Sequence, residues 1–145
     1  MFSSKQKYHQ TLIKFDTIIG SSTTIEGNLH LSGNIRVDGK LIGNIHSING
    51  HDVTVAIGEK GLIKGDIQCD YLVASGTIIG NVQVTNKVEI LDQARIEGDV
   101  SYSLLSMDPG ATVQGHFSCK LNQAEFDSKS LAQATIQQAQ ERTDI

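Results

Sequence analysis

Apolar and polar residues alternate along most of this chain in a pattern that keeps returning. Ile25-Glu26-Gly27-Asn28-Leu29 comes back as Leu41-Ile42-Gly43-Asn44-Ile45 and as Ile63-Lys64-Gly65-Asp66-Ile67. It returns again as Ile78-Ile79-Gly80-Asn81-Val82, Ile96-Glu97-Gly98-Asp99-Val100 and Val113-Gln114-Gly115-His116-Phe117. The six glycines lie 16, 22, 15, 18 and 17 residues apart. A period of this size, sustained over most of a chain, marks a solenoid. Aligned on the glycine, the positions two before and two after are aliphatic in all units but for Phe117, the position four after is mostly apolar or small (Leu31, Ser47, Cys69, Val84, Tyr102, Cys119), and the position four before is small (Gly39, Gly61, Gly76, Ala94, Ala111) in all but Thr23. The odd offsets are mostly polar. This period of two predicts strands with one buried face.

Further apolar segments lie between the units: Val53–Ile57, Leu72–Ala74, Val88–Ile90 and Leu104–Met107. Each period therefore holds about three short strands and at least two corners. One corner is the glycine with its Asn or Asp, residues that tolerate the backbone of tight bends. The pattern predicts an all-β chain: a single parallel β-helix of about six coils, three short strands per coil and about 29 Å long. The uneven periods fit a right-handed helix better than a left-handed hexapeptide helix. The 22-residue period predicts an outward loop over Ser47–Asp52. The expected division is an arm over 1–17, the β-helix over 18–119 and a Gln/Ala-rich tail over 120–145, disordered or weakly helical.

Composition agrees with a narrow interior of stacked aliphatic side chains. Of 145 residues, 14 are Gly and one is Pro, with no Trp, 4 Phe and 3 Tyr. The net charge of -4, without a basic block, gives no footprint for nucleic acid. No apolar run is long enough to span a membrane, and the first residues lack the core of a signal peptide, so a cytoplasmic location is expected. Cys69 and Cys119 both lie four residues after a repeat glycine. Equivalent inward positions about 14 Å apart exclude a disulfide and predict two small buried hydrophobes. The segment Met1–Lys7 has no acidic residue and Lys14 extends its basic character.

Chemistry is sparse. The chain has no dinucleotide fingerprint, Walker A sequence or nucleophile elbow. Asp66 and Asp99 are too few for a calcium-binding repeat. His30, His46 and His51 fall on neighbouring coils and offer zinc ligands, as in the shared histidine sites of trimeric β-helix enzymes. His46 and His51 resemble a pair in the γ-class carbonic anhydrases. The six-residue spacing of Gly27, Gly33 and Gly39 resembles the hexapeptide acyltransferases over one coil. The alternative to a scaffold is thus a β-helix enzyme of one of these types.

The ends of the rod carry a different signal. A β-helix shows unpaired backbone and apolar side chains at both ends unless they are covered. No cap is evident in the sequence, and Phe117 stands where every other coil has Leu, Ile or Val. Symmetric end-to-end contacts would give a filament without polarity. The contact is assigned to Phe117 and Val113 at one end and to Ile18 and Ile25 at the other.

These residues are similar to those of a known family. The chain resembles the bactofilins, polymer-forming bacterial cytoskeletal proteins, in its Ile-x-Gly-Asp/Asn-Ile/Val units over residues 18–119 and in Met1-Phe2-Ser3-Ser4-Lys5-Gln6-Lys7. The resemblance implies a right-handed β-helix between disordered termini and non-polar filaments that need no nucleotide. It implies attachment to the inner face of the cytoplasmic membrane through Met1, Phe2, Lys5 and Lys7, with Ser4 where a further Lys is common. An aromatic residue in the family's final winding implies a polymerisation role for Phe117. Roles in cell shape and in localising peptidoglycan-modifying enzymes are implied in the same way. The expected partners are the chain itself, membrane lipids and such enzymes; neither enzymatic activity nor a cofactor is expected.

Overall fold

The computed structural model describes residues 13–120. These form sixteen short strands, β1 (Thr17–Ile19), β2 (Thr24–Glu26), β3 (Leu29–Leu31), β4 (Ile35–Val37), β5 (Lys40–Ile42), β6 (Ile45–Ser47), β7 (Thr54–Ile57) and β8 (Leu62–Lys64), then β9 (Ile67–Ala74), β10 (Thr77–Ile79), β11 (Val82–Ile90), β12 (Arg95–Glu97), β13 (Val100–Tyr102), β14 (Leu104–Met107), β15 (Thr112–Gln114) and β16 (Phe117–Cys119). No helix occurs among the described residues. Every strand pairing is parallel, and each strand bonds to its equivalent one coil away. The result is a β-solenoid of about six turns.

Each coil has three faces. The strand before the repeat glycine belongs to one six-stranded sheet, in the order β15-β12-β10-β8-β5-β2. The other two faces join into one sheet because β9 and β11 run through their shared corner without a break. In those coils one long strand serves two faces, which is why sixteen strands fill six coils of three.

The spacing of the glycines now has a physical origin. The corner made by the repeat glycine and the next residue is two residues long in every coil, as between β2 and β3 or β15 and β16. All the variation in period falls in the other two corners. The longest insertion, between β6 and β7, is the predicted outward loop; Ile48–Asp52 are exposed and Gly50 turns the chain at φ 89°. The invariant corner is invariant because its glycines stack. Gly80 has φ 153°, and a Cβ there would overlap the carbonyl oxygen of Gly65 one coil below.

Inward side chains form the core. Ile35, Val55, Leu72 and Val88 follow one another up one face, and Leu41, Ile63, Ile78 and Ile96 up the next. All are fully buried, and no polar or charged residue is buried with them among the described residues. Cys69 is buried on the third face, in register with Val84, and burial first, with the charge of Asp70 second, pushes its thiol pKa strongly upward. Cys119 corrects the sequence expectation: it is exposed, not buried. It holds the equivalent position, but it sits in the last coil, and no further coil stacks above it among the described residues. Ile18 also lies elsewhere than on an end face. It is paired with Arg36 in an outward column and is 64% exposed on the flank.

The glycine column generates a testable contrast. Gly80→Ala meets both the strained φ and the Gly65 carbonyl, whereas at Gly27, with φ 140°, nothing lies within 4 Å of the added atom. Chemical denaturation should show a loss of about 3 kcal/mol for Gly80→Ala and about 1 kcal/mol for Gly27→Ala. Equal losses would show that stacking contributes nothing beyond backbone strain.

Candidate functional site

The residue after each repeat glycine ties its coil to the next. The Asn44 backbone N–H donates to Asn28 Oδ1 at 2.8 Å, and the Asp66 N–H donates to Asn44 Oδ1 at 2.8 Å. Asn81 N–H donates to Asp66 Oδ1, and Asp99 N–H to Asn81 Oδ1, at 2.9 and 3.0 Å. The series ends with the His116 N–H on Asp99 Oδ1 at 3.1 Å. This is a ladder with a direction. Each side chain accepts from the coil that follows it in sequence. Asn and Asp supply the short side-chain oxygen that this geometry requires. The sequence pattern exposed the column as polar but not its bonding.

The ladder stops at His116, which has no side-chain oxygen to offer a further coil. Its ring turns back, placing Nδ1 3.2 Å from Asp99 Oδ1. The Asp99 carboxyl is held below its ordinary value, first by the His116 backbone N–H and then by the ring.

The same coil leaves the interior open. Among the described residues, none from Leu104 to Lys120 is buried. Leu105 and Met107 stand in register with buried Val88 and Ile90, and Phe117 with Val100. Phe117 is 42% and Met107 41% exposed. Val113 is half-buried, above Ile96. The Phe117 ring packs edge-on against Tyr102 of the preceding coil, with centroids 6.1 Å apart at 77°. Such a pair fixes the ring's position as well as covering area. The end face thus consists of Leu105, Met107, Val113, Phe117 and Cys119, with Tyr102 beneath. At the opposite end, Ile25, Leu29 and Leu31 are half-buried.

Of the residues expected at the ends, the structure brings Phe117 and Val113 together in the last coil and puts Ile25 in the first. Ile18 stands apart on the flank. Tyr102, Leu105 and Met107 were not assigned from sequence; the signal available was the aromatic at Tyr102 in a column otherwise small or aliphatic. Met1, Phe2, Lys5 and Lys7 lie outside the described residues, as do most of the arm and the tail.

A family model described as bactofilin, polymer-forming cytoskeletal, matches residues 17–118. The chain belongs to the bactofilin family. It is similar to Bactofilin BacO of Myxococcus xanthus (strain DK1622), with 24% identity over 107 residues, 74% of this chain and 82% of that protein. It is also similar to Bactofilin BacP of the same strain, with 25% identity over 100 residues, 69% of this chain and 40% of that protein. No solved structure matches the chain.

For a bactofilin the open last coil is the feature to weigh, since the family is polymer-forming and cytoskeletal. The carbonic anhydrase form of the enzyme alternative rests on the histidines. The structure stacks the His30 and His46 rings and leaves His51 on the loop, and no group of three or more metal-ligating side chains occurs among the described residues. No helix among the described residues is long and apolar enough to cross a membrane.

The His116–Asp99 contact predicts a graded effect. Because the folded value of Asp99 is lowered, the stabilisation it confers is present above the ordinary value near 3.8 and is lost as pH falls below it. His116→Ala keeps the dominant backbone N–H and removes the ring. NMR titration should therefore find Asp99 raised towards 3.8 but still below it. A full return to 3.8 would make the ring, not the ladder bond, the main cause.

Proposed function

We propose that this bactofilin is a scaffold whose rods join end to end through the open last coil. The observation that carries the reading is the apolar face of Leu105, Met107, Val113 and Phe117, which no described residue covers, at the last coil of the core. A second copy meeting that face through a two-fold axis buries both faces at once, an isologous contact. The ladder supplies a reason for pairing like with like. A copy stacked first coil on last coil would bring the Asn28 N–H over His116, which has no oxygen for it. A last-coil to last-coil pair asks for no such rung. Repeating last-to-last and first-to-first contacts builds a filament without polarity. No step in this assembly calls on nucleotide.

The proposed attachment to the inner face of the cytoplasmic membrane runs through Met1, Phe2, Lys5 and Lys7. Each Lys near an anionic leaflet contributes about 1 kcal/mol, and one Phe adds a modest apolar term. A single arm of this kind binds weakly, but a filament presenting many arms binds avidly. Assembly and membrane attachment are then coupled, and such a filament supports cell shape or holds cell-wall enzymes in place.

Phe117→Arg places a charge on the end face without entering the buried core. Electron micrographs should show filaments for the parent and none for the folded variant. Cys119 lies on the same face, so its thiol should be shielded from alkylation in filaments and reactive in the variant. Persistent filaments would overturn the end-coil reading. Separately, Phe2→Glu should lower cosedimentation with anionic liposomes several-fold at low salt. Unchanged binding would remove the arm from the membrane contact.

A further inference from the structure

The two histidines left over from this function occupy neighbouring positions that deserve a chemical reading of their own. His30 and His46 are partners in the parallel register of β3 and β6. Both are exposed, and their rings stack with centroids 5.8 Å apart and planes inclined by 13°. In a parallel sheet, residues in register on adjacent strands leave the same face about 4.8 Å apart. Backbone bonds hold the two coils, so the imidazoles are kept side by side by the fold and do not depend on each other's attraction.

We infer that His30 and His46 form a two-imidazole site for a late first-row divalent cation, Cu2+ foremost, with Ni2+ and Zn2+ weaker. Metal–imidazole bonds are about 2.0–2.1 Å long, so rings at this separation can each bring one nitrogen to a shared ion once the side chains turn out of the stacked arrangement. Nitrogen donors select copper, nickel and zinc over calcium and magnesium, and Cu2+ leads the affinity order. Water fills the remaining coordination positions.

The surroundings favour a cation. The outward residues of this face are His30, His46, Gln68, Gln83, Ser101 and Ser118, flanked by the Asn/Asp ladder. Neither column contains a lysine or arginine, and Asp66 stands diagonal to His46. His51 lies on the exposed loop and His116 at the far end of the rod beside Asp99, so neither shares the register of this pair. Binding here would bridge the first and second coils from outside. It requires no second copy and no assembled filament.

The test uses the full chain carrying Cys119→Ser, which removes the exposed thiol that Cu2+ would oxidise. Titration calorimetry with Cu2+ should give one saturable site, and electron paramagnetic resonance should show two coordinated imidazole nitrogens. His30→Gln and His46→Gln, which copy the Gln68 and Gln83 of the same column, should each weaken binding at least tenfold and leave one nitrogen. His51→Gln should leave both readouts unchanged. Circular dichroism confirms that each variant is folded. Loss of a single ring without loss of affinity, or no saturable binding by the parent, would overturn the site.

Discussion

Everything in this fold hangs on the vertical contact between repeat glycines. The carbonyl oxygen of one glycine lies where a Cβ of the next would be, from Gly27 beneath Gly43 up to Gly98 beneath Gly115. That contact sets the coils at strand spacing on their tightest corner. It also aims the following residue's N–H down at the side chain below, so the Asn/Asp ladder and the glycine stack are two parts of one device. With this corner fixed, the other corners are free to differ. The chain uses that freedom for a one-residue passage at Asp70 and for the long loop before Thr54. Core columns stay in register across these differences because the strands are aligned by the corner and not by the loops.

A stack built this way has no internal reason to stop. Each coil completes the hydrogen bonds of its neighbour, and the last one leaves its own unmet. The chain ends the ladder chemically, by replacing Asn or Asp with His116, but leaves the core open beneath it. Those two facts together separate two kinds of growth. Continuing the coil in the same direction lacks the side-chain oxygen that makes every earlier rung. Covering the apolar face does not require one. An end that refuses its own continuation yet exposes Phe117 is suited to meeting a copy of itself.

The sequence made much of this legible because the repeat is short. Aligning six glycines was enough to read the number of coils, the inward columns and the position of the loop. What stayed hidden depends on the neighbouring coil and not on the residue itself. Asn28 and Asn81 looked like solvated corner residues, since nothing local reveals that the next coil donates to them. Cys119 looked equivalent to Cys69 by offset, and differs only because no coil covers it. Ile18 stands near the start of the repeats, where an end residue is expected, but strand alternation turns it outward beside Arg36 while Ile19 faces in. The histidines were grouped by sequence proximity. The register joined His30 to His46 and dropped His51, which belongs to a loop with its own turn.

The same logic bears on how an outward face acquires function in a rod. A side chain repeated at one offset is brought within reach of its copies by the backbone alone, so any two adjacent coils with chemically similar residues make a pair without further design. In the core this yields ladders of Ile and Val. At the corner it yields a chain of amide and carboxylate oxygens. On the outer face it sets one imidazole beside another. In the proposed filament the end coil differs in kind, because there its residues are completed by another molecule. Pairing along the flank is settled within the chain, whereas an end face that joins copies as proposed depends on concentration and assembly, a distinction that suits a polymer-forming family.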